Sequence, residues 1–379
     1  MSLRRGLTGA VATVAVTAVA LTVPATAVPR TAGHTATRQA MDAAVAAGVP
    51  GVTATVEEGH GTWRATSGVG DLRTGAPRSP QDRYRIASIT KTFVSTVLLQ
   101  LDAEGRLSLD DTVEKWLPGT VHGHGYDGRR ITIRNLLNHT SGIANYTVDE
   151  TFARTYMLKD GFFRHRYDTV KPEELVGIAM SHKPDFAPGT SWNYSNTNYV
   201  LAGMVIERVT GHPYAQEIRE RIIEPLGLRA TSVPGTRTTV PQPSSRAYGK
   251  LAQTATGPTY DVTDLNPSFG SSAGEMISDS ADLNRFYAAL LTGRLLPPRQ
   301  LKEMKTTAPA RGLNAGYGLG LLDRTLSCGV HVWGHSGGIH GSSSEAVTTA
   351  DGRHSLAFNF NGDWAGDSDA VIEAEYCGR

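Results

Sequence analysis

Net charge is almost absent from this 379-residue chain: 37 Lys and Arg stand against 36 Asp and Glu, a formal balance of +1. No excess is available to attract a polyanion, so nucleic acid is not an expected partner. Beyond the first 27 residues no apolar run is long enough to cross a bilayer, and neither heptads nor a fixed-period repeat occur. That excludes a spanning helix, a coiled coil and a solenoid. Cysteine is scarce, with only Cys328 and Cys377, so at most one bridge can form within the chain.

What is present begins with an export signal. Arg4 and Arg5 precede an apolar stretch ending Thr22-Val23-Pro24-Ala25-Thr26-Ala27, with small residues where a signal peptidase would cut. Removal of residues 1–27 takes away two Arg and no acid, moving the formal charge from +1 to −1. A secreted protein without membrane attachment is implied, and the residues up to about 37 read as a short unstructured leader. Export places Cys328 and Cys377 in an oxidising setting where a disulfide is expected, two separate buried thiols being the alternative. Closing that loop would constrain the unfolded chain by roughly 4 kcal/mol on the entropic account.

Apolar periodicity predicts a helix over 38–47, then strands over 51–58 and 61–68 joined as a hairpin. From 87 to about 263 helical spacing dominates, at 131–138, 172–182 and 198–210. Strand signals return at 317–322, 330–333, 343–349 and 355–360, followed by a short helix at 369–376. The expected fold is α+β: an antiparallel sheet built from both chain ends and flanked by helices, with an inserted all-helical lobe. Residues 36–86 with 265–379 would form the α/β lobe and 87–264 the helical one, with a cleft between them.

Ser88-Ile89-Thr90-Lys91 opens an apolar helical run through Thr92, Phe93, Val94, Val97, Leu98 and Leu101 that stops at Gly105. Residues three apart share a helix face, so a hydroxyl sits beside an amine in the first turn. Free backbone N–H groups there favour an ionising nucleophile and a nearby oxyanion. A Lys among apolar neighbours is disfavoured in its charged form and can accept the Ser proton. Tyr194-Ser195-Asn196 follows a Pro188-Gly189-Thr190 turn and precedes a helix. Its phenol can take the Ser88 proton and pass it to a leaving group, while its amide positions a carbonyl. The alternative is that Ser195 or Asn196 only caps the helix. Gly334-His335-Ser336-Gly337-Gly338 ends a predicted strand, and its small residues let a substrate backbone lie along the edge. His335 would supply a polar or cationic group, or be a satisfied structural residue.

In this order and context the three elements resemble the serine penicillin-recognising enzymes: class C β-lactamases, soluble D-alanyl-D-alanine carboxypeptidases and related D-aminopeptidases and esterases. The resemblance extends through Gly105-Arg106-Leu107-Ser108-Leu109-Asp110-Asp111, Asn135-Leu136-Leu137-Asn138-His139-Thr140-Ser141-Gly142 and Gly316-Tyr317-Gly318-Leu319-Gly320-Leu321. It implies an acyl-enzyme on Ser88, proton handling by Lys91 and Tyr194, an acyl contact at Asn196, and an oxyanion hole from the N–H groups of Ser88 and Gly338. Leu326-Ser327-Cys328-Gly329, with Cys377, is similar to the exported carboxypeptidase branch. By that resemblance Phe152, Thr155 and Phe269 line an acyl pocket and Ser336 flanks the substrate. The basic residue that grips a terminal carboxylate in that branch is here Leu322. Arg324, two residues on and so on the same strand face, either substitutes for it or is a solvated charge.

These features predict an exported, monomeric serine hydrolase of small peptides, with D-alanyl-D-alanine carboxypeptidase activity. β-Lactamase, esterase or D-aminopeptidase activity is the alternative, and so is a sensor that acylates and stops. No cofactor is implied. His122-Gly123-His124 with Asp127 lacks further ligands at metal-binding spacing, so no metal is assigned. Gly334-x-Ser336-x-Gly338 also fits an α/β-hydrolase elbow, but only about 40 residues remain to supply an acid and then a His, and Asp351 with His354 is the sole close pair.

Overall fold

The computed structural model describes residues 33–59, 61–310 and 315–378, and the expected export signal lies outside them. Eight strands form one antiparallel sheet: β1 (Gly51–Glu58), β2 (Gly61–Gly68), β3 (Ala308–Pro309), β4 (Gly316–Tyr317), β5 (Leu322–Thr325), β6 (His331–Ile339), β7 (Ser342–Thr349) and β8 (His354–Phe360). Their order is β2-β1-β8-β7-β6-β5-β4-β3, so the N-terminal hairpin lies beside the last strand of the chain. Alternation decides the two faces. Val52, Ala54 and Val56 of β1 stand opposite Phe360, Phe358 and Leu356 of β8. All six bury against Met41 and Ala44 of the Thr35–Ala46 helix and Val371 and Ile372 of the Ser368–Cys377 helix. On the other face lies the Ser280–Leu291 helix, whose Asn284 donates to the Thr55 carbonyl at 2.9 Å.

Cys328 and Cys377 form the expected disulfide, with Cα atoms 5.7 Å apart, tying the β5–β6 turn to the end of the C-terminal helix. Among the described residues no helix is long and apolar enough to cross a membrane.

The helix Thr90–Ala103 runs through the middle of the molecule, with Thr90 to Leu99 and Leu101 all buried. A helix enclosed on every side belongs to a core rather than a surface. Phe93 stacks on Phe286 of the sheet-covering helix, with ring centroids 3.7 Å apart, and Gly105 (φ +68°) turns the chain after the helix ends. The expected helices of the middle region appear as Ile133–Leu137, Pro172–Met180 and Asn196–Thr210.

Two expectations are corrected. The predicted strand over 317–322 is broken by a turn in which Gly318 N donates to Leu321 O at 2.8 Å and Gly320 adopts φ +73°. Leu322 and Arg324 therefore belong to the next strand. The Gly334 to Gly338 segment does not follow a strand; it is strand, because β6 stays paired with β7 as far as Ile339↔Ser342. On its other side β6 pairs with β5 only up to Gly334↔Leu322, so the edge from His335 to Ile339 has no strand beside it among the described residues.

Candidate active site

Ser88 sits in a single 3₁₀ turn, Ala87–Ile89, immediately before the α-helix that carries Lys91. The turn is entered through Ala87 at φ +46°, and the Ile86 carbonyl just before it lies against Gly337 of β6. Lys91 is fully buried, and burial holds its amine well below the ordinary lysine range. Its Nζ lies 2.7 Å from Asn196 Oδ1, 2.7 Å from the Ala273 carbonyl and 3.0 Å from Ser88 Oγ. The first two partners can only accept. In the neutral form that burial favours, the amine's two hydrogens would go to these two oxygens and its lone pair would face Ser88 Oγ. Asn196 begins the Asn196–Thr210 helix with its side chain on Lys91, and Ser195 makes no side-chain cap, so the capping alternative for this motif is not what the structure shows.

Tyr194 is half-buried beside this pair, with Lys91 Nζ 4.9 Å from its ring centroid. Burial raises its phenol well above the ordinary tyrosine range, against a hydrogen bond to Ser88 that lowers it. A phenol raised above its ordinary range favours keeping its proton at rest, whereas a lowered Lys91 amine favours the basic form. His139, for which no role was expected, packs on Tyr194 with ring centroids 4.3 Å apart and is held at φ +62°. Its Nδ1 accepts from Ser195 N at 3.2 Å, so it braces the loop that carries Tyr194 and Asn196. Its only sequence signal was its place in the Asn138 to Gly142 segment.

His335 Nδ1 lies 2.6 Å from the Ser336 carbonyl, which can only accept. The proton is therefore on Nδ1, and Nε2 accepts from the Tyr317 hydroxyl at 2.9 Å. Burial is the largest cause that pushes its pKa down to about 3. His335 is thus a neutral ring and not the cationic group that was one expectation.

Two cavities meet at Ser88 and Gly338. One, about 580 Å³, is lined by Asn196, Tyr146, Met157, Phe269, Ile339 and the loop from Lys250 to Ala255. The other, about 420 Å³, is walled by Trp192, Tyr194, Tyr317, Leu322, His335 and Ser336. Phe269 stands where expected, but Phe152 and Thr155 do not line the first cavity. Phe152 packs edge-on behind Tyr146 at 5.0 Å, and the Thr155 hydroxyl turns to the Thr151 carbonyl at 2.8 Å. Tyr146 and Met157 take those wall positions. Arg324 is corrected too: it bonds Glu345 at 3.1 Å and Asp369 at 3.4 Å. Asp369 belongs to the Ser368–Cys377 helix, and Arg324 lines neither of the two cavities at Ser88. Ser336 stands inside β6 with no strand-to-helix turn, which removes the elbow alternative.

A serine and a buried amine at a helix start, beside an open strand edge, define a nucleophilic acyl-transfer site. The sequence profile of the family described as Beta-lactamase matches residues 37–373. The chain belongs to that family and is a serine acyl hydrolase of the β-lactamase and penicillin-binding-protein fold. It is 29% identical over 329 residues to Penicillin-binding protein 4* of Bacillus subtilis (strain 168), covering 82% of this chain and 68% of that protein. A D-stereospecific amidohydrolase from Streptomyces sp. is similar at 60% identity and TM-score 0.88, covering 92% of this chain and 99% of the other. A D-amino acid amidase from Ochrobactrum anthropi SV3, complexed with L-phenylalanine, matches at 30% identity and TM-score 0.78, covering 91% and 99%.

Proposed function

We propose that this protein is an exported D-stereospecific amidohydrolase that forms an acyl-enzyme on Ser88 and expels an uncharged amine or alcohol. The observation that carries this reading is the wall of the second cavity, where three aromatic side chains, Leu322 and a neutral His335 stand with no Lys or Arg among the described residues. A free carboxylate placed there would lose its water and gain no cation, whereas an amide or ester loses little. The carboxypeptidase expectation depends on a cation that the described lining residues of this cavity do not supply. The 60% identity with a D-stereospecific amidohydrolase supports the choice of D-acyl substrates.

In this reading neutral Lys91 takes the Ser88 proton as Oγ attacks the carbonyl carbon. The N–H groups of Ser88 and Gly338 hold the oxyanion. Tyr194, protonated and bonded to Ser88, relays a proton to the departing nitrogen or oxygen, and water then frees the acid. Asn196 fixes the Lys91 amine with its oxygen. The protein acts as a monomer outside the cell, a location that the disulfide supports.

Rates on D- and L-phenylalanine amide, and on a D-alanyl-D-alanine peptide against its C-terminal amide, test the proposal. D over L and amide over acid are expected. A clear preference for the free acid would overturn it, as would full turnover by Ser88→Ala. A penicillin adduct that persists in intact-mass spectra without turnover of any amide would assign the sensor role instead.

A further inference from the structure

The first cavity is larger than one aminoacyl group needs, and among its described lining residues Asp363 is the only carboxylate. Lys250 is the only Lys or Arg among those residues, and its ammonium is committed to the Gly257 carbonyl and the Thr259 hydroxyl, both at 2.9 Å, over the Trp364 ring. Asp363 Oδ2 accepts from Gly341 N at 2.8 Å, which fixes the carboxylate beside the β6–β7 turn. Gly341 lies three residues beyond Gly338. At about 3.3 Å per residue of strand, Asp363 is therefore up to about 10 Å along the edge from the oxyanion position. An α-ammonium on the reacting residue does not reach that far. One at the start of an extended acyl chain of about three residues does.

We infer that Asp363 is a specificity residue for the amino-terminal ammonium of an extended acyl group, so that preferred substrates are short peptides with a free N-terminus and a D-residue at the cleaved carbonyl. The inference rests on the amidohydrolase reading and names its substrate class. The acyl backbone would run along the open edge of β6 from Gly338 toward Gly341, using the strand's unpaired groups for register and the carboxylate for length. Asp363 is solvent-exposed, so the contact is a salt-sensitive rim pair.

The test compares Gly-Gly-D-phenylalanine amide with its N-acetyl form, in the wild type and in Asp363→Asn, which keeps an oxygen for Gly341 N–H. In the wild type the free peptide should exceed the acetylated one by up to about 5-fold in kcat/KM, mainly through KM, with the gap shrinking in high salt. In Asp363→Asn the ratio should fall to near one. No gap in the wild type, or a gap that survives the substitution, overturns the inference while D-phenylalanine amide turnover leaves the amidohydrolase reading standing. If the wild type hydrolyses no D-acyl amide at all, that reading fails and the inference falls with it.

Discussion

In the proposed mechanism the chemistry turns on Lys91, and its protonation state has a measurable consequence. In the unfolded chain it holds a proton up to the ordinary lysine range, whereas burial lowers its folded pKa well below that. Between the two values the unfolded state binds one more proton, so stability rises with pH, by up to about 1.4 kcal/mol per unit. Lys91→Met removes that dependence. Denaturant midpoints measured at pH 7, 8 and 9 should show the wild type gaining on the variant as pH rises, whatever the offset from leaving Asn196 and Ala273 unpartnered. A pH-independent difference would mean that Lys91 is charged in the fold and is no base. The same variant should lose about 10²–10⁴-fold in turnover.

At the scale of elements, two neighbouring glycines in β6 separate packing from function. A Cβ on Gly337 would sit 2.1 Å from the Ile86 carbonyl, in the segment that leads into the Ser88 turn, whereas a Cβ on Gly338 meets nothing within 4 Å. Gly337→Ala should therefore cost about 1–3 kcal/mol in thermal stability and displace the nucleophile. Gly338→Ala should melt near the wild type yet lower kcat/KM, because its methyl enters the cleft. Equal melting losses in the two would refute this division. These glycines also show why part of the fold was illegible. A run of Gly and Ser reads as a strand end, although the close approach of the Ser88 turn is what requires the missing side chains. The hairpin of β1 and β2 was legible because β-branched alternation matches a half-buried surface. The break at Gly320 was hidden by alternation across it. Ser88 and Lys91 were readable from their spacing, but Ala273, whose carbonyl fixes the amine, lies 182 residues away and contributes only backbone. Trp192 and His139 line or brace the cleft from loops, where no periodicity marks them.

For the whole molecule, the sheet joins the two chain ends, and Arg324 shows that a charge near the cleft in sequence can belong to that join. Its guanidinium links β5 to Glu345 of β7 and to Asp369 in the first turn of the C-terminal helix. Burial raises the Glu345 carboxyl above its ordinary range, and Arg324 is the largest influence opposing that. Without Arg324 the folded pKa rises further, so the folded state keeps a proton that the unfolded chain has released. Stability is then lost as pH rises from the unfolded carboxylate value toward the raised folded one. Arg324→Ala should therefore cost up to about 3–5 kcal/mol near neutral pH, the scale for stranding a buried charge, and less at pH 5. Urea midpoints at pH 5 and pH 8 check this, and an equal loss at both would show that Glu345 stays ionised without its partner. Because the guanidinium is bonded to Glu345 and Asp369 and lines neither cavity at Ser88, the ratio of rates on a D-alanyl-D-alanine peptide and its amide should stay as in the wild type. A fall in the acid's relative rate in Arg324→Ala would instead put this side chain at the substrate, and with it restore a carboxylate-gripping role.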